Sequence, residues 1–541
     1  MDYTVEVAGG RVRGHESGGL LEFLGIPYGR APVGALRWRP PEPPEPWANV
    51  RDATEPGPLA PQGPAAASTA LPGDPIHQSE DCLHLSIWTP GLDSARRPVM
   101  VWVHGGRFVS GTAGSLLYRG ERLARRGDVV VVSVNYRLGA LGFLAHPALS
   151  GPEGTFGNWG LADQVAALRW VRAHVGAFGG DPDNVTLFGE SAGAMCISTL
   201  LAMPDARGLF RRVIVQSGPP YTHSATRAVA AAEEFARELG LQRVERSALE
   251  RIPAADLVSA LGTIGQRPAR AGELPQPLLP VVDGHSLPGD PLVEIGRGCA
   301  SRVAAVIGTN RDEASYFDFS ERRAAAMDEG ELLRLVSHSA PTADAHGVVD
   351  AYRAALERRE ERFAARDIWI AVASDLVFRW PSLRLADALR MHASSVFVYL
   401  FTWESPAFGG VLGACHGLEI PFVFGNVSDP AVAPFSGAGP EAEELAGSMQ
   451  DAWLSFARRG DPSIPGRLDW PPWDPLRRVT MKLGASREAV VAPRDAELAV
   501  WASSAPLPTA VPPAESVPGP RSVPAPARRS APPSQSPIVT R

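Results

Sequence analysis

The sequence is poor in cysteine, nearly without lysine, and free of long apolar runs. Four cysteines, Cys82, Cys196, Cys299 and Cys415, are spread through 541 residues. They are too sparse for a disulfide scaffold, and no Cys-x-x-Cys spacing suggests a zinc or dithiol site. Lys482 is the only lysine among 52 basic residues, which face 59 acidic ones. A net charge of -7 offers no basic face to displace counterions, so no nucleic-acid partner is expected. No uncharged apolar stretch approaches the roughly 18 residues a membrane span needs, so no membrane partner is expected either. The start, Met1-Asp2-Tyr3-Thr4-Val5-Glu6-Val7, has neither a basic nor an apolar leader region. No secretory signal is therefore expected, and a cytoplasmic location is the default. Arginine, 54 glycines and 52 prolines are abundant instead, in the manner of a GC-rich bacterial coding bias. With 45% hydrophobic and 21% charged residues, the composition is that of a folded globular chain.

Length alone allows roughly two to four domains, but the pattern argues for one large unit. Short apolar runs at Val99–Val103, Val129–Val134, Val185–Phe188, Val213–Gln216, Val303–Gly308 and Val396–Phe401 read as buried strands. Helical patterns alternate with them, as at Leu161, Val165, Leu168, Val171 and Val175. Such alternation implies an α/β fold with a large, mostly parallel central sheet flanked by helices. Two stretches interrupt it. Residues 56–75, rich in Pro, Ala and Gly, read as a long surface loop. From Ser504 onward about a third of the residues are proline and none is aromatic, a composition that cannot offset its ordering entropy. The expected division is one large α/β domain over 1–503 and a proline-rich, disordered tail over 504–541.

The sharpest signal is Gly189-Glu190-Ser191-Ala192-Gly193, which follows a strand-like VTLF and precedes a helix-like AMCISTLLAM. This is the G-x-S-x-G elbow in the context it requires. The serine must occupy a tight, strained turn to expose its oxygen, and glycines two residues either side relieve the crowding. The helix that follows points its N-terminal N–H groups at the site. Donors for an oxyanion are expected from His104-Gly105-Gly106-Arg107-Phe108, directly after the VMVWV strand. The N–H groups of Gly106, Arg107 and Ala192 are the candidates, with His104 structural.

Beyond these motifs, the chain resembles the type B carboxylesterase family, which includes para-nitrobenzyl-type esterases, liver carboxylesterases and cholinesterases. The segments that carry the likeness are FLGIPYGRAPVGALRWRPPEP (23–43), SEDCLHLSIWTP (79–90), VMVWVHGG (99–106) and NYRLGALGFL (135–144). GNWGLADQVAALRWV (157–171), FGGDPDNVTLFGESAGA (178–194), IGTNRDEASYF (307–317), CHGLEIPFVFGN (415–426) and DAWLSFARRGDP (451–462) continue it in the family's order. The resemblance implies an α/β-hydrolase fold and a serine hydrolase of small to medium carboxylic esters, needing neither cofactor nor metal. It places the acid on Glu313, in Gly308-Thr309-Asn310-Arg311-Asp312-Glu313, with Asp312 as rival, and the base on His416. Ser191, Glu313 and His416 then fall in the α/β-hydrolase order. A monomer or weak homo-oligomer is expected. The alternatives are carbamate or amide hydrolysis by the same mechanism, or a non-catalytic scaffold of the same fold.

Glu190 and Glu419 read as structural residues that could also tune the site, and Ser217 as a supporting residue near the elbow. Asp283 reads as a turn-former, while Asn158 and Asp163 belong to a structural signature. Three departures from the family pattern stand out. Arg107 replaces a small residue in the oxyanion loop, and its side chain either reaches solvent or lines the pocket. Cys82 lacks the partner found in animal members and is expected free and buried. Pro72 stands where cholinesterases carry an aromatic residue for quaternary ammonium, which argues against choline esters.

Overall fold

A computed structural model describes residues 3–63, 77–151, 155–274, 276–320, 326–393 and 395–502. The expected tail at 504–541, Pro72, and most of the expected loop at 56–75 lie outside the described residues. Valine-rich runs build the centre of the sheet because β-branched side chains suit strands covered on both faces. Its eleven strands, among the described residues, are β1 (His15–Ser17), β2 (Leu20–Pro27), β3 (His84–Thr89), β4 (Arg97–Val103), β5 (Val130–Val134) and β6 (Gly180–Glu190). They continue with β7 (Arg212–Gln216), β8 (Ala304–Asn310), β9 (Val396–Phe401), β10 (Val479–Leu483) and β11 (Arg487–Val491).

The spatial order is β11-β10-β9-β8-β7-β6-β4-β5-β3-β2-β1. From β10 through β5 every pairing is parallel. The pairings outside that block are antiparallel at both edges. The mostly parallel sheet expected from the sequence is therefore present, with antiparallel borders that the apolar runs alone did not reveal. Side chains alternate between two cores. Val99, Val101 and Val103 of β4 join the core on one face, while Met100 and Trp102 join the core on the other.

Helices cover both faces. Trp159–His174, where the 3.6-residue spacing predicts a helix, buries Leu161, Val165, Leu168 and Val171. Its start is fixed by Asn158, which accepts the Val281 N–H and donates to the Val281 carbonyl, both at 2.8 Å. Inside its first turns Asp163 takes the Arg137 guanidinium through bonds of 2.6 and 2.8 Å, and both side chains are buried. The loops after the carboxyl ends of β4, β6, β7, β8 and β9 carry the candidate residues, as parallel sheets generally arrange them. Among the described residues, no helix is long and apolar enough to cross a membrane.

Candidate active site

Ser191 stands between β6 and the helix Ala192–Leu200, at φ 54° and ψ -128°. A non-glycine residue rarely adopts that conformation, so the turn is strained. Close approach of the elbow to the end of β4 explains both glycines. A Cβ on Gly189 would lie 2.5 Å from the Val103 carbonyl oxygen, and one on Gly193 only 2.1 Å from it. The turn is anchored by the Ser191 N–H, which donates to the Gln216 carbonyl at 2.9 Å.

The structure brings Ser191, His416 and Glu313 together. His416 Nε2 lies 2.8 Å from Ser191 Oγ, and its Nδ1 lies 2.6 Å from Glu313 Oε2. Glu313 is fully buried, and its other oxygen accepts the Ser217 hydroxyl at 2.5 Å and the Asn310 N–H at 2.8 Å. Asp312 is not brought to the imidazole. It accepts Arg311 Nη2 at 2.7 Å and the Ala414 N–H at 2.8 Å, tying the loop after β8 to the segment that carries His416. Burial alone would raise the Asp312 carboxyl, but Arg311 outweighs it and holds the group below the usual range.

Three buried carboxylates surround one imidazole. Glu190 Oε1 lies 3.1 Å from His416 Nε2, and burial, reinforced by Glu419 and Glu313, pushes Glu190 up to about 8 despite His416. Burial opposes the imidazolium of His416, yet Glu190 and Glu313 outweigh it and lift this group to about 9. Glu419 accepts Gln216 Nε2 at 3.1 Å and Asn310 Nδ2 at 2.6 Å, and burial raises it as well. Gln216 in turn accepts Trp453 Nε1 at 3.1 Å. Sequence reasoning missed Asn310 and Gln216 as supports, although both sit at the last residue of a strand that feeds the site. It also missed Phe317 and Phe378, whose rings lie 5.0 and 4.9 Å from the His416 ring. Phe317 ends the segment 307–317 that carries the family likeness, but no motif flags Phe378.

The candidate oxyanion loop abuts the serine, since a Cβ on Gly105 would lie 3.0 Å from Ser191 Cβ. Gly106, Arg107 and Phe108 all have positive φ, at 114°, 56° and 64°. The Gly106 carbonyl is drawn back by the N–H groups of Val109 and Ser110, each at 3.0 Å. Ala192 opens its helix, where the first N–H groups have no intrahelical acceptor. His104 is buried and stacks on Tyr136 at 4.6 Å, and burial lowers it to about 4, which suits a structural residue. Arg107 is half-buried. Burial raises the Tyr316 hydroxyl, Glu190 adds to this, and Arg107 opposes it, so both charges act at that hydroxyl.

Asp283 accepts the N–H groups of His285 and Leu287, each at 2.9 Å, as a turn-former does. Cys82 is buried with a free thiol. Among the described residues, no group of three or more His, Cys, Asp or Glu side chains is gathered as metal ligands would be.

Comparison with known proteins places the chain in a family. The profile of the Carboxylesterase family matches residues 1–501. The chain is 37% identical to the para-nitrobenzyl esterase of Bacillus subtilis (strain 168) over 477 residues, covering 88% of this chain and 93% of that one. It is 36% identical over 468 residues to a phenmedipham hydrolase of Pseudarthrobacter oxydans, covering 84% and 89%. The solved structure of a Geobacillus stearothermophilus carboxylesterase superimposes with a TM-score of 0.82 at 37% identity, over 92% of this chain and all of that one (100%).

Proposed function

We propose a catalytic cycle for this chain, which belongs to the carboxylesterase family, has the α/β-hydrolase fold and is a serine hydrolase of carboxylic esters. Ser191 Oγ attacks the ester carbonyl carbon while His416 Nε2 takes its proton. The N–H groups of Gly106, Arg107 and Ala192 receive the negative charge that develops on the carbonyl oxygen. The tetrahedral species collapses, the C–O bond to the alcohol breaks, and His416 returns the proton to the departing alkoxide. Water then attacks the acyl-Ser191 ester with His416 again as base, releasing the carboxylic acid and restoring the hydroxyl. Glu313 holds the imidazole in the tautomer that presents Nε2 as acceptor and stabilises the imidazolium.

The observation that carries this reading is the unbroken line from Ser191 Oγ through His416 to Glu313, at 2.8 and 2.6 Å. Ser191→Ala and His416→Ala are each expected to lower kcat by roughly 10⁴-fold or more and to abolish the burst of alcohol release. Glu313→Gln should be less complete. Asp312→Asn should keep most activity; the reverse order of these last two would exchange the acid. A second reading, hydrolysis of a carbamate through the same serine, is favoured by the likeness to a phenmedipham hydrolase. Action on small to medium esters, a cytoplasmic location, and a monomer or weak homo-oligomer belong to the same proposal. So does the division into a catalytic unit over 1–503 and a proline-rich segment over 504–541.

A further inference from the structure

The helices Ala365–Ser374 and Trp380–Arg390 are joined by a π-turn, Asp375–Arg379. Pro381 accounts for it. Proline has no N–H for the carbonyl four residues earlier, and its ring crowds that carbonyl, so the helix widens. The carbonyl left over belongs to Val377, and it accepts the Tyr221 hydroxyl at 2.8 Å. Just before the turn, Ser374 Oγ accepts the N–H of Ala314, the residue after Glu313, at 3.0 Å. The π-turn is thus bonded to the loops after β7 and β8, both of which hold the acid.

One side of the turn meets the base. The Phe378 ring lies 4.9 Å from the His416 ring at an interplanar angle of 43°, and it stacks on Phe317 at 6.1 Å and 7°. The other side meets the C-terminal segment. Asp375 accepts the Tyr352 hydroxyl at 3.0 Å, and that hydroxyl accepts Trp501 Nε1 at 2.8 Å. Arg379 Nη2 donates to the Pro493 carbonyl at 2.6 Å. Asp375, Arg379, Tyr352 and Trp501 are all buried. Buried charges are costly where apolar side chains would pack equally well, which suggests a positional task.

We infer that this π-turn is the positioning element of the base: it seats Phe378 on the His416 ring, and the C-terminal helix Asp495–Ala502 locks it in that register. Asp375, Arg379 and Tyr352 are positioning residues that act through Phe378. The phenyl faces favour the imidazolium that forms in the transition state. Loosening the turn therefore lowers both the rate of proton transfer and the pKa of the base.

The inference rests on His416 being the base, and the experiment separates the two. Steady-state kinetics with p-nitrophenyl acetate across pH are compared for the wild type, Phe378→Leu, Tyr352→Phe and Arg379→Met. Phe378→Leu should lower kcat about threefold or more with KM little changed. It should also move the kcat/KM limb down by about 0.3–0.7 pH unit, the loss of one cation–π contact. Tyr352→Phe and Arg379→Met should shift both readouts the same way, either one sufficing if the other fails to fold. Neither should add to Phe378→Leu in the double variant, as expected of one coupled unit. Variants that lower only the melting temperature, or that add fully to Phe378→Leu, would overturn the positioning role. Hydrolysis retained in His416→Ala would overturn the assignment of the base itself.

Discussion

Glu190, next to Ser191 and 3.1 Å from His416 Nε2, is expected to influence the working pH. His416 serves as base only when neutral, so kcat/KM should climb with pH along one limb. Because Glu190 and Glu313 outweigh burial and lift the imidazole toward about 9, that limb should lie above the ordinary histidine range. Glu190→Gln removes one raising charge and should move the limb to lower pH; an unmoved or raised limb in a pH–rate profile would contradict the coupling. If Arg107, which is half-buried, lines the pocket, it acts on selectivity. Arg107→Ala should lower kcat/KM for carboxylate-bearing esters about 10-fold or more relative to neutral ones, as for one charged hydrogen bond. Equal losses for both ester types would return the side chain to the surface. The candidate nucleophile is marked in the chain by its own G-x-S-x-G motif, whereas the candidate base was placed only by the family resemblance. The resemblance placed the acid on Glu313 with Asp312 as rival, and the backbone turns Asp312 toward Ala414 and Glu313 toward His416. Phe378 was invisible because its proximity to His416 is created entirely by tertiary packing.

Among elements, the strands were legible where an unbroken apolar run marks them; β2 and β3, though buried, are interrupted by Glu22 and by His84 and Ser86 and were not read. β4, β5 and β9 are valine- or phenylalanine-rich runs covered on both faces, so their pattern is continuous and strong. β10 and β11, at the far edge, mix charged and apolar residues, and β11 is largely exposed, so no run marks them. The helix Trp159–His174 was legible from its period, but the reason for a buried aspartate in it was not. Arg137 and Asp163 form a two-bond pair with both side chains out of water. Removing one partner leaves the other charge buried and unpaired. Asp163→Ala should therefore destabilise the fold by about 3–5 kcal/mol, read as a lower denaturant midpoint. A change within a few tenths of a kcal/mol would mean that the pair is solvated in solution.

On the scale of the whole molecule, the sheet brings Ser191 and His416, 225 positions apart, into one site. The described chain reaches Ala502, and Trp501 near its end is buried and donates to the Tyr352 hydroxyl. Deleting 505–541 should leave kcat/KM and melting temperature within error, whereas a drop of several degrees would show that the segment packs on the domain. The most direct test of the account is covalent capture of the nucleophile. The intact enzyme is treated with a fluorophosphonate, digested, and the adduct located by mass spectrometry, with residual esterase activity followed in parallel. The account predicts one adduct per chain on Ser191, loss of activity in proportion to labelling, and much slower labelling of His416→Ala. Full labelling of another residue, or esterase activity surviving complete modification of Ser191, would contradict it.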